Sequence, residues 1–330
     1  MKRHKICKII FAILAVFLCV AFYELIGICV TYKKQPAVSD ATIKETQNIM
    51  SVAGRENTER AVIIEKNSQA LLERVRLIQN AKDEIILSTF AFKSDESGKL
   101  ILGALHDAAD RGVHVRILVD GMESWIDMEG NPYFYGLSSH ENVEIKLYNK
   151  ANPLKPWKTM GRMHDKYLIA DGKIYILGGR NTYNYFLGDF PGHKNFDRDV
   201  LVVCDEPQKD NSVNQLWNYF ETIWEQEDCR YFHNSKKLAD RQSVKKAVLE
   251  LQEGYQQYFE VNKEKICDTD YADETFETEK IILLSNPIHT QAKEPVVWYQ
   301  LGELMKNAKE RVKIHTPYII CNDMMYNTWK

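Results

Sequence analysis

Residues 163–181 read MHDKYLIADGKIYILGGRN. Apolar residues alternate with polar ones through HDKYLIA and again through KIYILGG, and Asp171-Gly172 separates the two runs. Alternation of period two is the mark of a strand, and Asp-Gly between two such runs predicts a tight hairpin with positive φ. On that reading His164 and Lys166 share one face, while Tyr167 and Ile169 point to the other. Gly178-Gly179 allows a close backbone approach, and Asn181 brings an amide with two donors. Singly, Asp171 reads as a turn residue, Lys166 as an exposed strand lysine and His164 as a surface histidine. Jointly they form HxKxxxxDxxxxxxGxxN, a pattern expected by chance in such a chain on the order of one time in ten thousand.

The surroundings repeat the alternation of strand and helix. EIILSTFAF (84–92), VHVRILVDG (113–121), VEIKLYN (143–149) and RDVLVVC (198–204) read as strands. Residues 68–81, 98–111 and 213–225 carry helical spacing, the second with Leu100, Ile101, Ala104, Leu105 and Ala108 on one stripe and Gly112 as its stop. This order predicts an α/β fold: a mixed β-sheet flanked by helices. His106 and His114 read as partly buried packing residues. Trp125, Tyr133, Phe134 and Tyr135 offer an apolar rim, with an ordinary packed loop as the plainer reading. Residues 227–277 are charged and helical in pattern, and EKIILLSNP (279–287) restarts strand character.

The chain of 330 residues has a net charge of -3, 45% hydrophobic and 27% charged residues, which describes a folded protein and lowers the expectation of a dedicated nucleic-acid binder. Its start differs from the rest. After the basic MKRHKICK, residues 9–30 are apolar apart from Glu24. That length suits a retained membrane anchor better than a cleaved signal peptide. Lys2, Arg3, Lys5 and Lys8 precede it, and the bias places the N-terminus inside and the globular part outside, a single-pass arrangement. The seven cysteines show no C-x-x-C pair and no metal-ligand spacing, so zinc is not expected, and spacing alone argues for no disulfide.

An internal repeat is also present. LIQNAKDEIILSTFAF starts at Leu77 and LMKNAKERVKIHTPYI at Leu304, with Leu77/Leu304, Asn80/Asn307, Ala81/Ala308, Lys82/Lys309 and Thr89/Thr316 identical. A second His164 would fall about 60 residues past Lys330 by the same offset. The expectation is that the chain holds one half of a duplicated protein and the beginning of the other.

The 163–181 stretch resembles the signature of the phospholipase D superfamily, carried by His164, Lys166, Asp171, Gly178 and Asn181. The family often has Ser after the glycine; Gly179 stands there, as in cardiolipin-synthase-like members. DESGKLILGALHDAADRGVHVRILVDG (95–121), NFDRDVLVVC (195–204) with VNQLWNYFETIW (213–224), and NAKERVKIHTPYI (307–319) are similar to further family segments. The resemblance implies a phospholipase D-like α/β/α sandwich with no metal or other cofactor. It implies His164 as nucleophile, giving a phosphohistidine, with a second histidine as acid for the leaving alcohol. Lys166, Asn181 and Gly179 hold phosphoryl oxygens. Asp171 is a motif residue among the catalytic set, more plausible as the holder of the turn. Asp199 is the candidate carboxylate orienting the imidazole. Loop residues His193, Lys155, Trp157 and Lys158 stand as weaker candidates for contact with substrate.

The expected organisation is a basic tail and anchor (1–34), a polar tether (35–64), a first catalytic half (65–228), a charged helical connector (229–278) and an incomplete second half (279–330). The expected function is phosphodiester hydrolysis or phosphatidyl transfer on phospholipids. The second catalytic half comes from a C-terminal region absent from this sequence or from a homodimer partner. A dimeric nucleic-acid phosphodiesterase and an inactive anchored fragment are the alternatives, the first disfavoured by charge.

Overall fold

The computed structural model describes residues 2–51, 59–233, 235–314, 316, 318 and 323–328. In chain order the elements begin with α1 (Lys2–Tyr32), α2 (Asp40–Ser51), β1 (Glu59–Ile64), α3 (Asn67–Asn80), β2 (Glu84–Thr89), α4 (Glu96–Asp110) and β3 (His114–Asp120). Then come α5 (Gly121–Asp127), α6 (Pro132–Ser138), β4 (Val143–Tyr148), β5 (Tyr167–Ala170), β6 (Ile174–Gly178), β7 (Asp199–Cys204) and α7 (Ser212–Trp224). The last are β8 (Cys229–Tyr231), α8 (Lys236–Ala239), α9 (Gln242–Cys267), β9 (Phe276–Glu277), α10 (Val296–Lys306) and α11 (Asp323–Thr328). Two compact units form. One holds Met1–Arg55, Asn152–Gly161 and Leu283–Lys330; the other holds Glu56–Ala151 and Arg162–Ile282.

The larger unit is built on one sheet of nine strands, ordered β8-β4-β3-β2-β5-β6-β7-β1-β9. β2, β3 and β4 run parallel; every other pairing is antiparallel. Alternate residues of the central strands serve different layers. Ile85, Leu87, Val115, Ile117 and Val119 join the core with Leu71, Val75 and Ile78 of α3, the Ile101–Ala108 stripe of α4, and Leu251 of α9. On the opposite face Arg116 lies over the Phe220 ring of α7 and pairs with Glu84 and Glu221. Both faces are thereby covered, as a sheet with parallel central strands requires. α4 starts where the Asp95 carboxylate accepts the Gly98 N–H, and it ends before Gly112, whose φ of 94° suits glycine. Truncating a core side chain such as Leu105 to alanine costs about 2–5 kcal/mol.

Three boundaries differ from the sequence reading. The folded half begins upstream of residue 65, because Glu59–Ile64 pairs residue for residue with β7. Its apolar Val62-Ile63-Ile64 is a strand that a polar neighbourhood conceals. Residues 229–278 are more than a connector. Val244, Ala247, Leu251 and Tyr255 of α9 are buried, and a Cβ at Gly103 would sit 2.6 Å from the Leu251 carbonyl oxygen, so that glycine lets α4 and α9 touch. Finally, residues 279–287 are irregular, although apolar; the sheet edge beside β1 is taken by β9. Of the packing histidines, His106 is buried with Nδ1 3.0 Å from Asp110, whereas His114 is exposed between Glu84 and Glu144.

In the smaller unit, Lys5–Tyr32 of α1 forms a helical run of 28 residues, long and apolar enough to cross a bilayer. The N-terminus of α2 is satisfied by Glu294, whose Oε1 accepts from the Ser39 N–H at 2.7 Å and the Thr42 hydroxyl at 2.6 Å. α10 stops at Lys306, and residues 311–314 of the expected second strand are irregular. His315 and Pro317 lie outside the described residues.

Candidate active site

The site follows from strand direction. β2, β3 and β4 are parallel, so their carboxyl ends share one edge of the sheet, the edge where open α/β sheets hold ligands. β5 is antiparallel to β2, with Tyr167 opposite Ser88, which brings residues 164–166 to that edge. β6 ends there at Gly178, opposite Asp199 at the start of β7. His164, Lys166, Gly179, Asn181 and Asp197 therefore converge.

Lys166 is buried. Its Nζ lies 3.1 Å from His164 Nδ1 and donates to the His164 carbonyl at 2.6 Å. Burial pulls its pKa down to about 8, against the opposing charges of Asp165 and Asp197. Burial, then the Lys166 and Arg162 charges, lower the His164 pKa below the ordinary histidine value, while Asp120 pulls the other way. At pH 7 the imidazole is accordingly neutral beside an ammonium that is mostly charged. Both stand around Phe90. The His164 ring centre is 4.6 Å from that ring, Lys166 Nζ 5.5 Å, and the Arg162 guanidinium 5.3 Å.

Asn181 is buried, and its Oδ1 accepts the Ala91 N–H at 3.1 Å, which leaves the amide nitrogen as the end that donates. A Cβ at Gly179 would lie 2.0 Å from Asp197 Oδ2. A serine there would require the Asp197 side chain to shift.

Two candidates stand apart from the pair. Asp171 follows the far end of β5, seven residues from His164, or about 20 Å at ~3.3 Å per residue. It and Gly172 have φ of 52° and 61°, as a primed hairpin turn requires. Its carboxylate accepts the N–H groups of Lys82, Asp83 and Glu84 at 2.9, 2.8 and 3.0 Å, tying the hairpin to the start of β2. Asp199 is fully buried between Arg74 at 3.0 Å and Arg180 at 3.2 Å. Two guanidinium groups thus hold the carboxylate expected to orient His164, whose ring stands beside Lys166 and Phe90. His193 is exposed against Tyr185, and Lys155, Trp157 and Lys158 belong to the other compact unit. Phe134 and Tyr135 pack inside, while Trp125 is exposed. Among the described residues no group of three or more His, Cys, Asp or Glu gathers as a metal site.

Sequence reasoning missed Phe90, Asp120, Arg162, Arg180 and Asp197. Asp120 ends β3 and Phe90 follows β2; both strands have ordinary composition, and neither residue gave a signal. Arg162 and Asp197 did give one: each lies two residues from a chosen residue, on the same strand face if the extended pattern continues.

Comparison with known proteins agrees with this architecture. Residues 75–224 match the family model described as cardiolipin synthase, PLD-like domain. An uncharacterised protein of Helicobacter pylori is 27% identical over 302 residues, covering 83% of this chain and 57% of that protein. Cardiolipin synthase C of Escherichia coli is 29% identical over 154 residues, covering 42% of this chain and 31% of that enzyme. The solved structure of NucT from Helicobacter pylori aligns with a TM-score of 0.41 at 16% identity, covering 53% of this chain and 99% of that one. The chain thus spans little more than half the length of the first relative and about a third of the second. Residues 75–224 thus form a phospholipase D-like domain.

Proposed function

We propose that this chain performs phosphodiester chemistry on phospholipids through a phosphohistidine at His164, as hydrolysis or as phosphatidyl transfer. The observation that carries the proposal is an imidazole whose Nδ1 lies 3.1 Å from the Nζ of a buried lysine, on the sheet edge that also presents Asn181. A phosphodiester is anionic and resists nucleophiles. Lys166 and the Asn181 amide offset the charge on its oxygens as phosphorus becomes five-coordinate. The ring nitrogen forms the P–N bond, the P–O bond to the leaving alcohol breaks, and an acid protonates the alkoxide. Water or a lipid alcohol then attacks phosphorus, the P–N bond breaks, and the imidazole is restored.

Nδ1 faces Lys166, so Nε2 is the nitrogen offered to phosphorus. Attack by Nε2 needs the ring proton on Nδ1, where the ammonium now donates. Substrate therefore draws Lys166 from Nδ1 onto the phosphoryl oxygens and frees Nδ1 to hold the proton. Asp171 and Asp199 serve as scaffold in this reading, and Asp165 and Asp197 are the carboxylates whose charges reach Lys166. The acid is a second histidine–lysine pair; HxKxxxxD occurs once in this sequence, so a second copy of the chain or a further segment supplies it. α1 tethers the domain to a membrane, with the positive residues before it favouring an extracytoplasmic globular part.

The test compares the chain with H164A on phosphatidylglycerol vesicles and on single-stranded DNA. Lipid turnover is expected to fall at least about 10³-fold in H164A, with a phosphorylated His164 trapped by an alkaline denaturing quench in the parent chain. Equal turnover by both forms removes the nucleophile assignment, and turnover of DNA alone reassigns the substrate. The rate also falls on both sides of an optimum: below the lowered His164 pKa the ring is protonated, and above about pH 8 Lys166 loses its charge.

A further inference from the structure

Arg162 occupies a position that the chemistry above does not use. Its Nε lies 3.0 Å from both oxygens of Asp120, and its Nη2 also bonds Asp120 and lies 3.5 Å from Glu123. Asp120 is wholly buried at the end of β3. It also accepts the N–H groups of Met122 at 3.0 Å, Glu123 at 3.3 Å and Met163 at 3.1 Å. One edge of the guanidinium is thus fixed by a carboxylate that is itself fixed by three backbone groups. The other edge, Nη1, meets the sulfur of Met122 at 3.1 Å, and a thioether is a weak acceptor. The Arg162 side chain is 24% exposed, and it lies two residues before His164 at the same sheet edge. Arg162, His164 and Lys166 all pack on Phe90.

A fork used only to hold the fold would be turned fully inward. Here Nε and Nη2 are clamped on carboxylates, while Nη1 has only a weak acceptor in Met122. Resting on the phosphodiesterase reading of His164, we infer that Arg162 is a subsite for a second anionic group of the substrate, next to the diester that His164 attacks. The ligand chemistry is a phosphate monoester or diester. Its oxygens accept from Nη1, for which a planar guanidinium is suited in a way that a lysine is not. Asp120 and Glu123 offset part of the charge, so the gain in affinity is moderate. Such a phosphate comes from a phospholipid whose headgroup bears another phosphate, or from the neighbouring nucleotide of a nucleic acid.

The test first measures binding, without turnover. Calorimetry on the full chain in detergent, at pH 7, gives dissociation constants for inorganic phosphate and pyrophosphate. The parent chain is expected to prefer pyrophosphate about tenfold. In R162Q that preference falls below about twofold, with phosphate affinity held within about twofold. R162K keeps a charge but loses the fork on Asp120, and shows less than half the parent preference; it answers the question if R162Q does not fold. No preference in the parent chain, a full preference in either variant, or an equal loss for both anions overturns the inference, the last because it signals a purely structural arginine. Kinetics then distinguish the source. The R162Q loss in kcat/KM is concentrated on phosphatidylglycerol phosphate relative to phosphatidylglycerol, or on pTpT relative to TpT. A chain that shows the binding preference yet cleaves no diester leaves the subsite standing and removes the phosphodiesterase reading instead.

Discussion

Residues 77–92 and 304–319 begin with nearly the same words, and the structure treats the two openings alike and then differently. Each helix ends at an asparagine side chain that donates to the carbonyl four residues back: Asn80 Nδ2 to Arg76 and Asn307 Nδ2 to Glu303, both at 2.8 Å. After that point the first copy enters β2, between β3 and β5, while residues 311–314 of the second are irregular. The ending of a helix is settled within a few residues. A strand is not, because its N–H and C=O groups need neighbours. In the first copy the neighbours are supplied in part by the 163–181 hairpin, through the Asp171 carboxylate on Lys82, Asp83 and Glu84. Arg74 supplies another link from α3 to β7; the matching position in the second copy is Leu301, which is exposed.

The comparison predicts that the first copy is ordered by long-range charge contacts, and the largest test removes the deepest. Asp199→Asn leaves Arg74 and Arg180 side by side with no carboxylate between them, at a cost of about 3–5 kcal/mol. Urea unfolding of the sheet unit, followed by tryptophan fluorescence, reads that cost. A change under about 1 kcal/mol would mean that the arginines find other partners. Next comes Asp171→Ala. It removes an acceptor of three N–H groups and places alanine at φ 52°, together about 2–4 kcal/mol. The loss should appear as faster hydrogen exchange at Lys82–Glu84 and in β2, with His164 chemistry retained once the chain is folded. Abolished turnover in a fully folded D171A chain would return Asp171 to the catalytic set.

Legibility in the sequence followed the same division. The central strands, α4 with its Gly112 stop, and the hairpin turn were readable because each rests on local spacing. His164, Lys166 and Asn181 were readable because their spacing repeats a family pattern. β1 was hidden, since six residues in a polar stretch reveal a strand only when β7 lies beside them. The partners of Asp199 were hidden for a related reason. Arg74 and Arg180 look like surface residues of a helix and a hairpin, and only the fold shows that both are buried. The EKIILLSNP run misled in the opposite sense, because an apolar segment became a strand in the reading without a neighbour to pair with.

The smallest effect separates what the two openings share from what they do not. Asn80 Nδ2 makes a second bond, to the Ile266 carbonyl of α9 at 2.6 Å, and is partly buried; Asn307 is exposed and serves chiefly its own helix. Asn80→Ala therefore loses a local and a long-range bond and leaves a carbonyl of α9 without its donor, at about 1–2 kcal/mol. Asn307→Ala loses the local bond, which water replaces, and a weak 3.5 Å contact to the Met50 sulfur, at no more than about 0.5 kcal/mol. Hydrogen exchange at the last turns of α3, α9 and α10 distinguishes them: N80A should loosen α3 and α9 together, and N307A the end of α10 alone. Equal effects from the two substitutions would show that the shared N-A-K is a local helix stop in both places, and that the sheet and α9 add nothing to the first. Unequal effects, in the stated direction, would show that one sequence word acquires its energetic weight from what is packed against it.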